Sequence, residues 1–309
     1  MSSGSRRRRL RAIKSAAGGV LFVAPAVILL GAMLVYPIIS TIRLSLDTGI
    51  FLRLQKFVGL ANYRRLLLHD PSFLHYDWIG LSGSLVNNGI WLALYVGGCL
   101  GFGLMIAVLA DRVGYEGFVK SVVFAPLSIA ATATGLVWLL VYAPNPRISV
   151  INALLGTVGI KPIGFLGNAH IVNYAVIAAA VWSGTGLAVV VLSAAIKSIP
   201  SEISEAARID GASGFKEFRM VILPMISGPV TVISVTLAIT AIKVFDIVFV
   251  MTRGGPNGAS SVIGYVFYDQ VFQRGRGGYG ASAAVIMLIL VIPIMIFSIR
   301  RLRAEGSRR

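Results

Sequence analysis

The segment with the clearest chemical pattern is a polar stretch between two apolar runs, residues 197–222. Proline suits the first position of a helix, and a glycine suits the position just past its end; Pro200 and Gly211 therefore predict a helix of about three turns. One face of that helix would carry residues at i, i+3, i+4 and i+7: Ile203, Ala206, Ala207 and Asp210. The two alanines leave little side-chain bulk there. The helix is therefore either a docking surface that another protein approaches closely or a plain surface connection.

Charges lie beside this face. Glu205 is adjacent to it, and Arg208, three residues further on, is a possible ion-pair partner for that carboxylate.

A second set of candidates consists of polar side chains inside apolar segments, where polar groups are costly and are functional hypotheses by default. Hydroxyl and amide groups beside an aromatic ring can hydrogen-bond and orient a small polar ligand. The candidates are Asn87, Asn88, Trp182, Ser183, Thr185, Thr236, Thr240 and Asp246. Bonding of the hydroxyls to their own helix backbone is the alternative for the serine and threonines, and a structural role is the alternative for Asp246. Lys243, three residues before Asp246, can instead extend to the membrane interface.

The composition indicates that lipid is the solvent for most of the surface. Charged residues make up 13% of the 309 residues, hydrophobic residues make up 56%, and the mean hydropathy is +0.83, whereas about a quarter of a soluble protein is charged. About 20 apolar residues are needed to cross the hydrocarbon core. Six segments free of Asp, Glu, Lys and Arg meet that length: 15–42, 84–110, 121–146, 171–196, 220–242 and 277–299. We therefore predict an all-α membrane protein with six transmembrane helices.

The distribution of basic residues predicts the orientation. The segments on the side of the two termini hold 17 Lys and Arg, and the segments on the other side hold 10. The positive-inside rule then places both termini and the 197–222 loop, between spans four and five, in the cytoplasm. The predicted organisation is a basic tail (1–18), a six-span domain (19–300) and a second basic tail (301–309).

The sequence lacks the motifs of several other classes of protein. The chain has no G-x-x-x-x-G-K-[ST] phosphate loop, no H-E-x-x-H and no G-x-S-x-G, so neither ATP hydrolysis by this chain nor an intramembrane hydrolase is expected. Cys99 is the only cysteine, and the three histidines are scattered, so no metal or cofactor site is predicted. The net charge of +16 flanks apolar segments, which argues against nucleic-acid binding. A channel or secondary carrier would normally need intramembrane charges for ion coupling. The predicted spans have almost none, so these two classes are not favoured.

The polar loop resembles the EAA signature of permease subunits of binding-protein-dependent ABC importers, in the form used by their carbohydrate branch. The matching residues are Ile199-Pro200, Glu205-Ala206-Ala207-x-x-Asp210-Gly211-Ala212, Phe218 and Leu223-Pro224. Further blocks similar to that family follow in order along the chain: Phe57–Tyr63, Phe245-Asp246, Met251-Thr252-x-Gly254-Gly255-Pro256, Phe272 and Tyr279-Gly280-Ala281.

The resemblance implies a transport subunit that is not an enzyme. The loop would form a coupling helix that docks on a separate cytoplasmic ATPase through Glu205, Ala206, Ala207, Asp210, Gly211 and Ala212. The expected partners are a second homologous permease, two ATPase copies, an extracytoplasmic solute-binding protein and a sugar. ATP and Mg would bind to the ATPase, and this chain would hold no cofactor. The expected location is the inner (plasma) membrane.

Residues 108–116 with 120–126 look like the α-glucoside permeases of that branch. This thinner resemblance implies a glucoside disaccharide such as trehalose or maltose. Glycerol phosphate and other sugars remain open.

Overall fold

The computed structural model describes residues 22–50, 53–77, 80–111, 113–212 and 214–306. The predicted tail 1–18 lies outside these residues, as do positions 307–309 of the second tail. The helices are α1 (Phe22–Ser45), α2 (Ala61–Leu68), α3 (Ser84–Ala110), α4 (Glu116–Ser128), α5 (Ala131–Val141), α6 (Val150–Thr157), α7 (Val172–Lys197), α8 (Ser201–Ile209), α9 (Phe215–Met225), α10 (Ser227–Ile242), α11 (Asp246–Met251), α12 (Ile263–Tyr268, continued by a π-helical turn Asp269–Gln273) and α13 (Gly277–Gly306). Strands β1 (His75–Asp77) and β2 (Gly80–Ser82) pair antiparallel.

Among the described residues, four unbroken helices are long and apolar enough to cross a membrane: α1, α3, α7 and α13. Two bent pairs pass the same test, α4 with α5 and α9 with α10. Counting each pair as one span gives six. The all-α membrane class that the composition predicts is therefore confirmed. The short hairpin of β1 and β2 is a small addition to the helices.

The third and fifth spans are not the straight helices that their apolar composition suggests. The axes of α4 and α5 differ by 103°, and those of α9 and α10 differ by 75°. At the first bend, a 3₁₀ turn with Pro126 at its start is followed by extended backbone at Ile129 and Ala130. Proline lacks the N–H that a continuing helix needs. At the second bend, Ile226 leaves helical geometry shortly after Pro224.

The core of the bundle is the packing of α3 against α7. Two thirds of the most apolar 18-residue window of α7 is buried inside the chain, whereas none of the corresponding window of α1 is. A helix that is apolar on all sides belongs in an interior or in lipid. The side chains of α1 are therefore available to lipid or to another subunit.

Gly186 lies where the backbone of α7 comes close to the backbone of α4. A methyl group at Gly186 would lie 2.7 Å from the carbonyl oxygen of Val123 and 3.0 Å from Cα of Phe124. Both neighbours are backbone atoms, which cannot rotate out of the way. At Gly97 on α3, a methyl group would meet nothing within 4 Å.

We expect Gly186→Ala to lower the free energy of unfolding by about 1–3 kcal/mol, as overpacking of a well-packed site does. Gly97→Ala is the matched control, because it adds the same methyl group on a helix where space is open. Thermal unfolding of the two purified variants in one detergent measures the difference. Equal midpoints would contradict the close approach of α4 to α7.

The segment between α1 and α3 is tied to the first turn of α13. The Tyr279 hydroxyl donates a hydrogen bond to Asp70, and the Arg65 guanidinium lies 5.3 Å from the centre of the Tyr279 ring. Burial opposes ionisation of Asp70, but hydrogen bonds from Ser72 and Tyr279, with the charge of Arg65, hold its pKa below the ordinary aspartate value. This end of α13 is the opposite end from the one beside α9 and α10.

Candidate functional site

The predicted partner-binding helix is α8, and its end has a specific backbone geometry. Gly211 has a φ of +79°, its N–H donates to the carbonyl of Arg208 at 3.1 Å, and the N–H of Ala212 donates to the carbonyl of Ala207 at 2.9 Å. These two bonds form a Schellman motif, which needs a left-handed residue at the position that Gly211 occupies. Asp210 is consequently the C-cap residue rather than part of the last turn. At the other end Pro200 precedes the helix, which begins one residue later than predicted.

No residue of α8 is buried. Ile209 is 87% exposed, and Phe215, just beyond the turn, is 74% exposed. Glu205, Ala206, Asp210 and Gly211 are also exposed, Ala207 is half-buried and Ala212 is buried. Exposed apolar groups rimmed by charges mark an interaction surface. The structure brings five of the six predicted docking residues to this surface, and Ala212 instead closes the turn beneath it.

An ion pair between an exposed arginine and a buried carboxylate joins α8 to α9. Arg208 Nε lies 3.3 Å from Glu217 Oε2, and Arg208 Nη2 lies 3.4 Å from Glu217 Oε1. The Glu217 residue is only 3% exposed. Arg208 therefore pairs with Glu217 and not with Glu205, its possible partner in the sequence, because a buried carboxylate needs a partner far more than an exposed one does. This pairing leaves the exposed Glu205 without Arg208 as a partner and links the two helices.

A second feature is a cleft of about 270 Å³ at the point where α10 breaks. Helix α10 ends at Ile242, three non-helical residues follow, and α11 then begins at Asp246. Irregular backbone inside a membrane domain is tolerated where it lines a cavity, and transporter sites are commonly built this way. The polar and aromatic residues that line the cleft are Trp91, Tyr95, Ser183, Thr240, Lys243, Phe245 and Asp246.

Three predicted ligand residues, Ser183, Thr240 and Asp246, meet in this cleft. Lys243 and Asp246 both line it, and within the described part of the chain neither forms an ion pair. The cleft therefore offers hydroxyl, ammonium and carboxylate groups to a ligand. Thr240 Oγ1 donates to the carbonyl of Thr236 at 3.0 Å and remains able to accept a hydrogen bond.

Three other candidates lie away from the cleft lining. Trp182 is 41% exposed and packs edge-on against Trp138, with ring centres 5.8 Å apart. Thr185 is buried and donates to the carbonyl of Val181 at 2.6 Å. Thr236 is exposed one turn before Thr240 and donates to its own helix. The hydroxyl groups of Thr185 and Thr236 therefore bond to the backbone of their own helices, which is the alternative to ligand binding given above.

The aromatic wall of the cleft was missed by sequence reasoning. Trp91 and Tyr95 lie one turn apart on α3, with ring centres 6.1 Å apart. Their i, i+4 spacing was the available signal. It does not by itself distinguish a ligand-binding wall from core packing.

Asn88 does not line the cleft but holds one of its edges. Its amide nitrogen donates to the carbonyls of Ala241 and Ile242 at 3.2 and 3.1 Å, and its oxygen accepts the N–H of Ile263 at 2.7 Å. The last carbonyls of a helix have no partner within that helix. Asn88 supplies their partner, which allows α10 to end inside the protein.

Asn87 forms a parallel set of contacts with the segment before α12. It donates to the carbonyls of Ala259 and Ser261 at 3.1 and 2.8 Å, and it accepts a bond from Asn173 at 3.3 Å. Asn173 in turn accepts the indole N–H of Trp91 at 3.0 Å. The structure thus directs the amides of Asn87 and Asn88 to protein groups, where they position the cleft and do not reach into it.

Comparison with known proteins gives a consistent result. A family profile described as "binding-protein-dependent transport system inner membrane component" matches residues 78–304. The osmoprotective compounds uptake permease of Synechocystis sp. is 39% identical over 293 residues, which cover 94% of this chain and 100% of that protein. The alpha-glucoside transport system permease of Rhizobium meliloti is 36% identical, covering 93% and 83%. The trehalose/maltose transport system permease of Thermococcus litoralis is 30% identical, covering 94% of each.

Two solved structures share the fold. A chain of a bacterial ABC transporter involved in the import of the acidic polysaccharide alginate superposes with a TM-score of 0.77 at 20% identity, covering 95% of this chain and 99% of that one. A chain of an alginate transporter in complex with an alginate pentasaccharide-bound periplasmic protein gives 0.75 at 21% identity, covering 93% and 94%.

Proposed function

Because this chain belongs to the family of binding-protein-dependent transport system inner membrane components, we propose that it forms half of the translocation pathway of an ATP-driven sugar importer. The observation that carries the proposal is the exposed α8 surface, whose Glu205-Ala206-Ala207 sequence and Gly211 turn present a small-residue face to a partner. The chain is a multi-pass component of the inner (plasma) membrane.

The α8 surface is proposed to dock on a cytoplasmic ATPase. Two copies of that ATPase would bind ATP and Mg and hydrolyse the nucleotide, and this chain would be a transport subunit without enzymatic activity. A second homologous permease would complete the pathway, and an extracytoplasmic solute-binding protein would deliver the sugar. The Arg208–Glu217 pair would make α8 and α9 move as one body when the ATPase closes.

We propose that both termini lie in the cytoplasm, as the distribution of Lys and Arg along the sequence indicates. The end of α13 lies against the start of α10, immediately after the α8–α9 segment. The carboxyl-terminal end and the docking surface therefore occupy the same end of the bundle, which supports placing both on the side of the ATPase.

The substrate proposed is an α-glucoside or disaccharide such as trehalose or maltose. The cleft supports a hydroxyl-rich ligand because the rings of Trp91 and Tyr95 stand near Ser183, Thr240 and Asp246, and small-molecule sites combine apolar walls with a few placed polar groups. Relatives that are named for osmoprotective compounds, alpha-glucosides and trehalose or maltose support this range of substrates.

Purification of the chain from its native membrane in mild detergent, with identification of retained proteins by mass spectrometry, tests the assembly. We expect an ATPase, a second six-span permease and a solute-binding protein. The chain freed of other subunits is expected to hydrolyse no ATP. Recovery of the chain alone, or of a homodimer with no ATPase, would overturn the proposal.

Thr240→Val tests the cleft. The substitution preserves shape and removes the hydroxyl from the lining, so we expect sugar uptake by the assembled importer to fall about tenfold, the effect of losing one hydrogen bond that contributes about 1–1.5 kcal/mol. Thr157→Val, on α6 far along the chain from the cleft-lining residues, is the matched control. Equal uptake by both variants, with normal assembly, would show that Thr240 does not contact substrate.

A further inference from the structure

Helix α6 (Val150–Thr157), which lies between α5 and α7, turns apolar side chains outward. Val150, Leu154 and Val158, the residue that follows the helix, are four positions apart and share one side. Their exposed fractions are 61%, 62% and 70%. The hydroxyl of Thr157, three residues after Leu154, donates to the carbonyl of Leu154 at 2.7 Å, so its proton is used within the helix. An exposed apolar side of this kind marks a contact with lipid or with protein.

The polar residues of α6 and of its cap face the protein instead. Asn152 and Ser149 are 0% and 1% exposed. The Asn152 amide nitrogen donates to the carbonyls of Ala143 and Ile163 at 2.8 and 3.1 Å, and its oxygen accepts the N–H of Ile163 at 2.8 Å. A surface helix in water has the opposite arrangement, with its apolar side against the core and its polar side outward. The outer side of α6 is therefore suited to apolar surroundings.

Both ends of α6 are capped within the chain. At its start, Ser149 Oγ accepts the N–H of Asn152 at 3.1 Å. At its end, Gly159 has a φ of +77°, and the N–H groups of Gly159 and Ile160 donate to carbonyls of the last turn at 3.1 and 3.0 Å, which is a Schellman motif. Unpaired backbone groups are costly where water is scarce. These caps reduce the number of such groups at both ends of the helix.

Direct contacts hold α6 at the depth where two membrane helices end. Ser149 Oγ donates to the carbonyl of Val141, the last residue of α5, at 2.6 Å. The Tyr142 hydroxyl donates to the carbonyl of Ala175, in the first turn of α7, at 3.0 Å. The apolar segments that contain α5 and α7 have the length of the hydrocarbon core. Since α8 follows the other end of α7, α6 lies at the membrane boundary on the side opposite the α8 surface.

The charges around α6 are complementary to a phospholipid surface. Arg147 and Lys161 flank the helix, both are exposed, and within the residues that the structure describes neither forms an ion pair. The sequence has no acidic residue between Glu116 and Glu202. Basic residues at a membrane boundary are attracted to lipid phosphates. A protein partner would have to supply an apolar surface with an anion at each end, whereas a leaflet supplies acyl chains and phosphates along its whole extent.

We propose that α6 is an interfacial helix in the leaflet opposite the α8 surface, with Val150, Leu154 and Val158 against acyl chains and Arg147 and Lys161 among the headgroups. Helices of this type bury their apolar side about 5–10 Å into the boundary between headgroups and acyl chains. Because its other side is bonded to α5 and to the loop before α7, α6 would hold the ends of these two helices at that depth. Its residues are not among those that line the cleft.

A nitroxide label on Leu154→Cys tests the proposal, in the assembly purified from its native membrane and placed in bilayers of phosphatidylcholine and phosphatidylglycerol. Cys99 is the only cysteine of the chain and is buried, so the unsubstituted assembly measures background labelling. Collisions with oxygen, which concentrates in lipid, and with a water-soluble nickel chelate report the depth of the label. We expect a depth of about 5–10 Å inside the headgroup boundary. Asn168→Cys, at an exposed position of the same connection but outside α6, is the control and should be reached more readily by the chelate.

A second pair of variants tests whether the apolar side holds the helix in lipid. Val150→Glu, combined with the label at position 154, should shift that label toward water, because a carboxylate on this side opposes contact with acyl chains. Asn168→Glu adds the same charge away from the helix and should leave the depth unchanged. Equal access of the chelate to positions 154 and 168, or no shift with Val150→Glu, would overturn the proposal. A label at position 154 that neither oxygen nor the chelate reaches would also overturn it, and would indicate that another subunit covers this side.

Discussion

Glu205→Lys is expected to lower the ATPase activity of the assembled importer by at least about tenfold. Glu205 is exposed on α8 and its carboxylate is not used by Arg208, which pairs with Glu217. The substitution should therefore leave the fold intact, since surface changes are usually within about 0.5 kcal/mol. It would place a cation where the proposed partner accepts an anion, and a like-charge or unpaired contact in an interface costs several kcal/mol.

Glu202→Lys is the matched control for this change. It reverses the same charge on the same helix, in the first turn, at a position that is also exposed but outside the docking residues. The measurements are ATP hydrolysis stimulated by sugar-loaded binding protein and recovery of the ATPase on purification. Normal stimulation in Glu205→Lys would refute the assignment of α8 as the docking helix, whereas loss of activity with both variants would indicate a general charge effect.

Asn88→Leu is expected to have the largest effect on stability. The side chain is similar in size, but the substitution leaves the carbonyls of Ala241 and Ile242 and the N–H of Ile263 buried without their partner. Each buried group left unpaired costs about 1–3 kcal/mol, so we expect a loss of about 3 kcal/mol or more in the free energy of unfolding. Sugar uptake should fail as well, because the end of α10 forms one edge of the cleft.

Thermal unfolding in detergent checks this expectation, with Asn168→Leu as the control. Asn168 is an exposed asparagine whose side chain accepts one local bond from the backbone of His170. Its loss should change the midpoint little. If Asn88→Leu unfolds at the same temperature as the control, the end of α10 is held by something other than Asn88.

The features that were predictable from sequence are those that depend on local chemistry. Apolar segments of spanning length follow from the cost of placing charges in hydrocarbon, and the structure has helices in all six places. The turn at Gly211 was predictable for a similar reason, because a glycine after a short helix permits the left-handed conformation that its carbonyls need. The small-residue face of α8 and its family resemblance were visible in a stretch of about 25 residues.

The features that were not predictable depend on partners far apart in the chain. Asn88 forms hydrogen bonds with Ala241, Ile242 and Ile263, which are 153 to 175 positions away in the sequence. The sequence therefore showed a polar residue in a span but not its hydrogen-bond partners. Arg208 pairs with Glu217 rather than Glu205 because folding buries one carboxylate and leaves the other in solvent. The bend at Pro126 and the break after Ile242 are stable only because other helices satisfy or cover the freed backbone. Local preference and hydrophobicity therefore define the spans and the docking turn, while the cleft exists only where long-range hydrogen bonds hold a helix end inside the protein.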